Sequence, residues 1–317
     1  MPDDRQVIAV AGAGHLGRYV CEELLASPDF RPVVLTRSTT TNTTWFASRN
    51  IPTYQTDYTP ASILSILDDT SATTLISFIN LASTAYITIH AALLQACQQS
   101  HHCKRLIPSE WIGNIDAYPL KPAFYGTTRE PFRQMLRSQN SVMWTLVHPG
   151  WLADYFLPSE KTYMKPIPHE FPVDPNGWRV CVRGSGEEEQ SWTCGRDVGR
   201  AVVVLCRAEG EWEPVTYIAG EWSTFNAAVK VMEKFYDRPL PRTEKPWSEI
   251  QKVLEAHAGD EELAEEAELA QVDEMMVMSY MAVPKEKTLR QREKFFAGVG
   301  FRGLQRLLQD AQGADFV

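Results

Sequence analysis

Three glycines near the N-terminus have the spacing of a site that binds phosphate groups. They lie in the run Gly12-Ala13-Gly14-His15-Leu16-Gly17. An apolar run at residues 7–11 precedes them and an amphipathic stretch follows, so they fall on a turn from a strand to a helix. In such a turn the first glycine permits the tight bend, the second lets a pyrophosphate approach, and the third lets the helix pack on the sheet. We therefore expect Gly12, Gly14, His15, Leu16 and Gly17 to bind a dinucleotide at the positive end of the helix.

A basic residue follows the second predicted strand, residues 32–36. NAD-selective sites usually have an acidic residue at this place, which holds the ribose 2′-hydroxyl, whereas a basic residue accommodates the 2′-phosphate of NADP. Here the sequence is Thr36-Arg37-Ser38, with no carboxylate beside it. A guanidinium binds phosphate through paired hydrogen bonds. The sequence predicts NADP(H), held by Arg37 and Ser38; the alternative is a solvated arginine that only ends the strand.

The order of the elements predicts the fold that positions these residues. Further strands are expected at residues 52–57, 74–80, 104–109 and 142–148, and helices at 61–67, 86–99 and 124–138. Strands that alternate with helices indicate an α/β fold with a Rossmann-type, doubly wound parallel sheet. Ligands of such sheets bind beyond the carboxyl ends of the strands. Phe78 and Asn80, at the C-terminal end of the fourth strand, are therefore assigned to the cofactor site. Pro149, which follows the sixth strand, is also assigned to it.

The pattern changes after residue 150, which predicts two units. Residues 1–150 form the NADP-binding domain, and residues 151–317 form a smaller α/β lobe that binds the substrate and shares one cleft with it. In the lobe we expect a helix at 196–207, a strand at 215–219 that returns to the main sheet, and a helix at 225–235. Residues 249–278 are helical and acidic. Their charges form a solvated face or, alternatively, a partner-binding surface near 261–268.

Composition excludes several function classes. The chain has 317 residues, 44% hydrophobic and 22% charged, with a formal net charge of -9. No basic cluster interleaved with aromatics is present, so nucleic acid is not an expected partner. The polar N-terminus is not a secretory signal and no run is long enough to span a membrane, so we expect a cytoplasmic monomer or homodimer. The six cysteines are scattered, and adjacent residues in His101-His102-Cys103 point apart, so no metal is expected.

Several runs resemble the NmrA-like and isoflavone reductase-like family of atypical short-chain dehydrogenases. They extend over nearly the whole chain. The similar runs are the glycine turn with Leu35-Thr36-Arg37, Asp57-Tyr58, the run from Arg105 to Trp111, Tyr125 to Arg133, His148 to Trp151, Tyr155-Phe156, Arg196 to Ala201, and Phe295 to Leu308 as a terminal helix. The resemblance implies an NADP(H)-binding Rossmann domain, a variable substrate lobe and, as in fungal members, work on secondary metabolites such as alkaloids or polyketides.

One departure from the family concerns proton transfer. The family's reductases have a lysine at the position that corresponds to Arg129. Arginine stays protonated, so it orients and stabilises but is a poor proton donor. A first hypothesis is therefore a reductase in which Tyr125 is the proton donor and Arg129 stabilises its phenolate. Alternatively, Glu110 or a water donates the proton in place of Tyr125. An iminium substrate would need no acid. The alternatives are that Tyr125 is a packing residue and that Glu110 only binds nearby backbone.

Two other hypotheses keep the nucleotide. The second is a cyclase or isomerase with little or no net redox chemistry, for ring-forming reactions that include cycloadditions. In such an enzyme an apolar pocket holds the reacting ends together. A planar aromatic substrate would be gripped by stacking, and about half of the candidate aromatics should face the cleft. These candidates are Trp111, Trp151, Tyr155, Phe156, Trp178 and Trp192. The third hypothesis is an NADP-sensing regulator, which would not need a substrate pocket.

Overall fold

Buried apolar strands build a six-stranded parallel sheet in the first half of the chain. The computed structural model describes residues 4–12, 14–37, 43–81, 83–258, 265–314 and 316–317. The strands are β1 (Gln6–Ala11), β2 (Phe30–Thr36), β3 (Thr53–Gln55), β4 (Ala72–Ser77), β5 (Arg105–Ile107) and β6 (Met143–Trp144), in the order β3-β2-β1-β4-β5-β6. Every pairing in this sheet is parallel. This is the strand order of a dinucleotide-binding Rossmann sheet, which confirms the predicted fold class.

Helices connect these strands and cover the sheet. They are α1 (His15–Ala26), α2 (Thr43–Ala47), α3 (Pro60–Thr70), α4 (Ala85–Gln99), α5 (Tyr125–Thr128) and α6 (Glu130–Arg137). Thr59 accepts the Ser62 backbone N–H and Pro60 occupies the first turn, so local chemistry fixes where α3 begins. The single helix predicted at 124–138 is divided, because Arg129 lies between α5 and α6 and Pro131 occupies the first turn of α6.

The second half contributes small sheets and further helices. The strands are β7 (Leu146–His148), β8 (Trp151–Leu152), β9 (Val173–Asp174), β10 (Arg179–Arg183), β11 (Gln190–Thr193), β12 (Val215–Tyr217), β13 (Glu221–Ser223) and β14 (Arg242–Lys245). The helices are α7 (Gly195–Arg207), α8 (Phe225–Tyr236), α9 (Trp247–Ala256), α10 (Glu265–Val277), α11 (Lys285–Phe295) and α12 (Leu304–Gly313). Strand β12 pairs in parallel with β7, which continues β6 after Thr145. The other small sheets have the orders β14-β10-β9 and β13-β11-β8.

One hydrophobic core crosses the boundary that the sequence predicts at residue 150. Helix α7 packs on α1, and glycines let the two helices approach: a Cβ at Gly195 would lie 2.7 Å from the Tyr19 ring, and one at Gly199 would lie 3.0 Å from the Tyr19 carbonyl oxygen. Val20, Val198 and Ile218 belong to the same buried cluster. The second half of the chain is therefore packed directly against the helix that follows the glycine turn.

Two expectations about the C-terminal third are wrong. The segment from Phe295 to Leu308 is not one helix, because it contains the end of α11, a connection and only the first half of α12. Residues 249–278 contain two helices, α9 and α10, and residues 259–264 lie outside the described residues. The charges of α10 are also not all solvated. Asp273 is buried in ion pairs with Arg183 and Lys245, and Glu274 pairs with Lys121.

Candidate functional site

The glycine turn has the geometry that a dinucleotide site requires. Gly12 has a φ of +73°, and a Cβ there would lie 2.7 Å from Ile79 Cγ1, so both backbone and space demand glycine. The nearest atom to a Cβ at Gly14 is 4.0 Å away, so the turn is open at this point. Helix α1 begins at His15, and the Arg18 N–H donates to the Gly14 carbonyl oxygen at 3.0 Å. The N–H groups of the first turn therefore point to the space where an anion would lie.

His15 and Leu16 occupy the first turn of α1, as expected. Leu16 and Gly17 are buried on α1, where they pack the helix against the core. Burial lowers the pKa of His15, and the positive charges of Lys165 and Arg18 lower it further. The imidazole is thus neutral at neutral pH in a region of positive potential. Such a potential favours a bound anion.

Arg37 lies at the end of β2 and is exposed. Its neighbour is Tyr58, whose hydroxyl donates to the Leu35 carbonyl oxygen at 2.9 Å. Burial raises the pKa of Tyr58 to about 12, although the Arg37 charge lowers it. Among the described residues no carboxylate forms an ion pair with Arg37. Ser38, the other predicted 2′-phosphate ligand, lies outside the described residues.

The cofactor candidates Phe78 and Pro149 and the substrate candidate Trp111 follow strands β4, β7 and β5. Phe78 donates its N–H to the Ala11 carbonyl oxygen at 2.8 Å, so it lies next to the glycine turn. The Trp111 indole stacks on Phe78 with ring centroids 4.7 Å apart, and its Nε1 donates to the Ser77 carbonyl oxygen. Pro149 follows β7, and its carbonyl oxygen accepts a hydrogen bond from the Thr193 hydroxyl at 2.7 Å. Phe78, Trp111 and the glycine turn thus meet at the carboxyl edge of the sheet.

Arg129 is held beside that edge by the segment that follows β4. Its guanidinium donates to the Leu81 carbonyl oxygen at 3.0 Å and to Asn80 Oδ1 at 2.7 Å. Its Cζ lies 3.5 Å from the Tyr86 ring centroid and 5.0 Å from that of Tyr125. Asn80, Arg129 and Tyr125 are therefore brought together. Burial raises the pKa of Tyr125, although Arg129 opposes the rise, so the phenol keeps its proton at neutral pH.

Glu110 is fixed in a buried ion pair. Its Oε1 accepts from Arg133 Nε at 3.1 Å and its Oε2 accepts from Arg133 Nη2 at 2.5 Å, and neither side chain is more than 2% exposed. The expected alternative was a hydrogen bond to backbone, and the structure shows a charged side-chain partner instead. Both carboxylate oxygens are occupied, so the arrangement holds α6 against the segment after β5 and does not present a free acid.

A cavity of about 640 Å³ lies in the second half of the chain. Its wall comes from the segment 154–175 and from strands β10 and β14, and it includes Tyr155, Met164, Ile167, His169, Phe171 and Arg242. Of the six candidate aromatics, Tyr155 is the one that lines it. Trp151, Phe156, Trp178 and Trp192 are at most 9% exposed and pack in the core, where Trp151 Nε1 donates to Gln190 and Phe156 meets Phe171 and Trp192 edge-on. The sequence signal for the actual wall was the proline-rich and aromatic composition of 157–175.

Comparison with known proteins identifies the family. No family model matches the chain. The oxidoreductase swnR of Metarhizium robertsii is 38% identical over 303 residues, which are 94% of this chain and 95% of that protein. Phenylcoumaran benzylic ether reductase 1 of Arabidopsis thaliana is 24% identical over 80% of this chain and 82% of its own length. The chain belongs to the NmrA-like, isoflavone reductase-like family of oxidoreductases.

The fold of this chain is also similar to that of a solved reductase structure. The binary complex of leucoanthocyanidin reductase with NADPH from Vitis vinifera covers 97% of this chain and 100% of that chain, with a TM-score of 0.73 and 15% identity. The resemblance inferred from the sequence runs is therefore confirmed. Within the described part of this family member, no helix is long and apolar enough to cross a membrane.

Proposed function

We propose that the chain is an NADP(H)-dependent oxidoreductase of secondary metabolism. It transfers hydride to or from a conjugated imine or iminium, an enone or a carbonyl of a bulky aromatic heterocycle. The observation that carries the proposal is the open glycine turn at the N-terminal end of α1, which lies at the same edge of the sheet as Arg129 and Tyr125. The swnR relative is named an oxidoreductase, and the leucoanthocyanidin reductase structure is a complex with NADPH.

The residues fit NADP(H) at three points. The open space at Gly14 leaves room for a pyrophosphate. Arg37, which has no carboxylate partner among the described residues, can present its guanidinium to a 2′-phosphate. Arg129 Nε is a buried donor that has no hydrogen-bond partner among the described residues. A buried donor without a partner is costly, and an acceptor on the nicotinamide riboside would satisfy it. When bound, NADPH supplies a hydride at C4 of its nicotinamide ring.

The chain's own groups then orient the reaction and supply its proton. Arg129 stays charged and is fixed by Asn80 and Leu81, so it stabilises negative charge that develops nearby. Tyr125 holds a proton at its hydroxyl and lies against Arg129, which stabilises the phenolate after transfer. Glu110 acts through Arg133 as a positioning residue for α6. The cavity lined by Tyr155 and Phe171 receives the apolar body of the substrate.

The test uses NADPH stereospecifically deuterated at C4, with a library of aromatic heterocycles that contain imine, enone or carbonyl groups. Absorbance at 340 nm and product mass are followed together. Loss of NADPH that matches a product carrying deuterium supports the proposal. A new product of unchanged mass without NADPH loss contradicts it and indicates a cyclase or isomerase. Binding of NADPH without turnover of any compound favours a sensor.

The variant Gly14→Val tests whether the glycine turn is the nucleotide site. Its isopropyl group fills the space at the turn, so we expect NADPH affinity to fall by more than about 100-fold, or at least 3 kcal/mol. Fluorescence titration with NADPH measures the change, and circular dichroism confirms the fold. A folded Gly14→Val protein that binds NADPH like the wild type would show that the turn is not the nucleotide site.

A further inference from the structure

A segment of the second lobe lies along the helix that follows the glycine turn. Tyr19 in α1 shares a hydrogen bond of 2.9 Å with the Thr162 hydroxyl, and its hydroxyl accepts the Tyr163 backbone N–H at 3.1 Å. The rings of Tyr19 and Tyr163 are 4.9 Å apart. The Tyr163 hydroxyl donates to Glu22 at 2.7 Å. Residues 162–163 are thus fixed to the second turn of α1 by contacts that are mostly buried.

The segment then runs toward the N-terminal end of α1. Met164 is buried in the same hydrophobic cluster as Leu16, one turn before Tyr19. The next residue, Lys165, is exposed and acts electrostatically on His15, the first residue of the helix. The segment thus continues from its hydrogen bond with Tyr19 into the cluster that contains Leu16, and Lys165 is the next residue. This course brings Lys165 toward the N-terminal end of α1.

Charge at this point favours an anion that comes from outside the chain. Within the described part of the chain, Lys165 forms no ion pair with a carboxylate. The other cation nearby, Arg18, lies over the rings of Trp45 and Tyr163, with its Cζ 5.2 and 5.7 Å from the two centroids. His15 is neutral there. Lys165 and the free N–H groups of α1 thus both add positive potential near the open space at Gly14.

We propose that Lys165 binds the pyrophosphate of the nucleotide at the N-terminal end of α1, an assignment that rests on the proposed function. The nucleotide is then held by both halves of the chain: by the turn in the first and by a lysine in the second. Met164 and residues 166–169, which flank Lys165, line the cavity. Binding of the pyrophosphate by Lys165 would therefore also fix this part of the cavity wall.

The experiment compares NADPH and NADH, because both contain the pyrophosphate and only NADPH has the 2′-phosphate. Dissociation constants are measured for the wild type, Lys165→Ala, Lys165→Arg and a control, Lys230→Ala, which removes an exposed lysine from α8. We expect Lys165→Ala to weaken both nucleotides by the same factor, about tenfold for one charged hydrogen-bonding group. Lys165→Arg should recover most of the loss, and Lys230→Ala should bind like the wild type. The affinity of Lys165→Ala should also depend less on salt.

The outcomes separate this assignment from the proposed function. Wild-type affinity in Lys165→Ala would overturn the assignment, as would a loss confined to NADPH, which would place Lys165 at the 2′-phosphate. In both cases the wild type still binds NADPH, and the proposed function stands. If the wild type binds neither nucleotide, the proposed function fails and the Lys165 assignment fails with it.

Discussion

Exposed and buried arginines flank the carboxyl edge of the main sheet, and they differ in the hydrogen-bond and ion-pair partners that the chain gives them. Arg37 is exposed, and no carboxylate among the described residues pairs with it. Arg129 and Arg133 are at most 2% exposed. Arg133 is paired with Glu110, and Arg129 donates to the Leu81 carbonyl oxygen and to Asn80, while its Nε has no hydrogen-bond partner among the described residues. A hydrated, unpaired cation contributes to ligand affinity and little to folding, whereas a buried, paired cation is part of the folded structure. Substitutions in the two groups should therefore fail in different assays.

The largest effect is expected from Arg133→Met. This change leaves the Glu110 carboxylate buried without its partner, which typically costs about 3–5 kcal/mol of unfolding free energy. Urea denaturation measures the loss. The double variant Glu110→Leu with Arg133→Met removes both charges and should regain a large part of it. If the single and double variants are equally unstable, the lost packing of the side chains and not the unpaired charge is responsible.

Arg37→Ala should have the opposite profile. We expect the affinity for NADPH to fall about 30- to 100-fold, or 2–3 kcal/mol, because a phosphate loses a guanidinium partner. The affinity for NADH and the urea midpoint should stay close to those of the wild type, since the side chain is exposed. Titrations with both nucleotides measure the ratio. Equal losses of affinity for NADPH and NADH would show that Arg37 does not bind the 2′-phosphate. The contrast between Arg37 and the buried arginines would then not hold.

His90 is a buried imidazole near Arg129, and its protonation should make the stability of the protein depend on pH. Its Nε2 accepts the Ser109 N–H, so its Nδ1 carries the proton that is donated to the Tyr86 carbonyl oxygen. Burial first, and then the Arg129 charge, lower its pKa to about 3. The folded protein therefore keeps His90 neutral at pH values where the unfolded chain, with a pKa near 6.5, binds a proton. Stability from this group is complete above about pH 6.5 and is lost as the pH falls.

The size of this effect follows from linkage. Each pH unit between about 6.5 and 3 should cost about 1.4 kcal/mol of unfolding free energy, or about 2 kcal/mol between pH 7 and pH 5. Urea denaturation across this range is compared for the wild type and His90→Gln, which does not titrate. The variant should show a shallower pH dependence by this amount. Identical slopes would mean that His90 is accessible to protons in the folded state.

The sequence was most informative where backbone geometry dictates residue type. At Gly12 a φ of +73° and a Cβ clash with Ile79 both require glycine, so this position of the motif follows directly from the backbone of the turn. The cavity wall was not predicted, because it combines residues remote in sequence, such as His169 and Arg242, whose proximity depends on how the small sheets pair. The core position of Trp192 and Phe156 has the same cause. An aromatic residue that stacks on a ligand and one that packs in a core have the same sequence pattern.

The smallest effect, and the sharpest test of the buried group, is expected from Arg129→Lys, which restores the lysine of the family's reductases. An ammonium keeps the positive charge but cannot reach both the Leu81 carbonyl oxygen and Asn80 with the planar fork of a guanidinium. If Arg129 only orients and stabilises, kcat should fall about tenfold, or 1.4 kcal/mol, and KM for NADPH should change little. If proton donation limits the reaction, lysine should instead raise kcat and add an alkaline limb to its pH profile. Steady-state kinetics on the deuterium-labelled reaction across pH 6–10 separate these results. An increase in kcat would show that Arg129 limits proton transfer at this site.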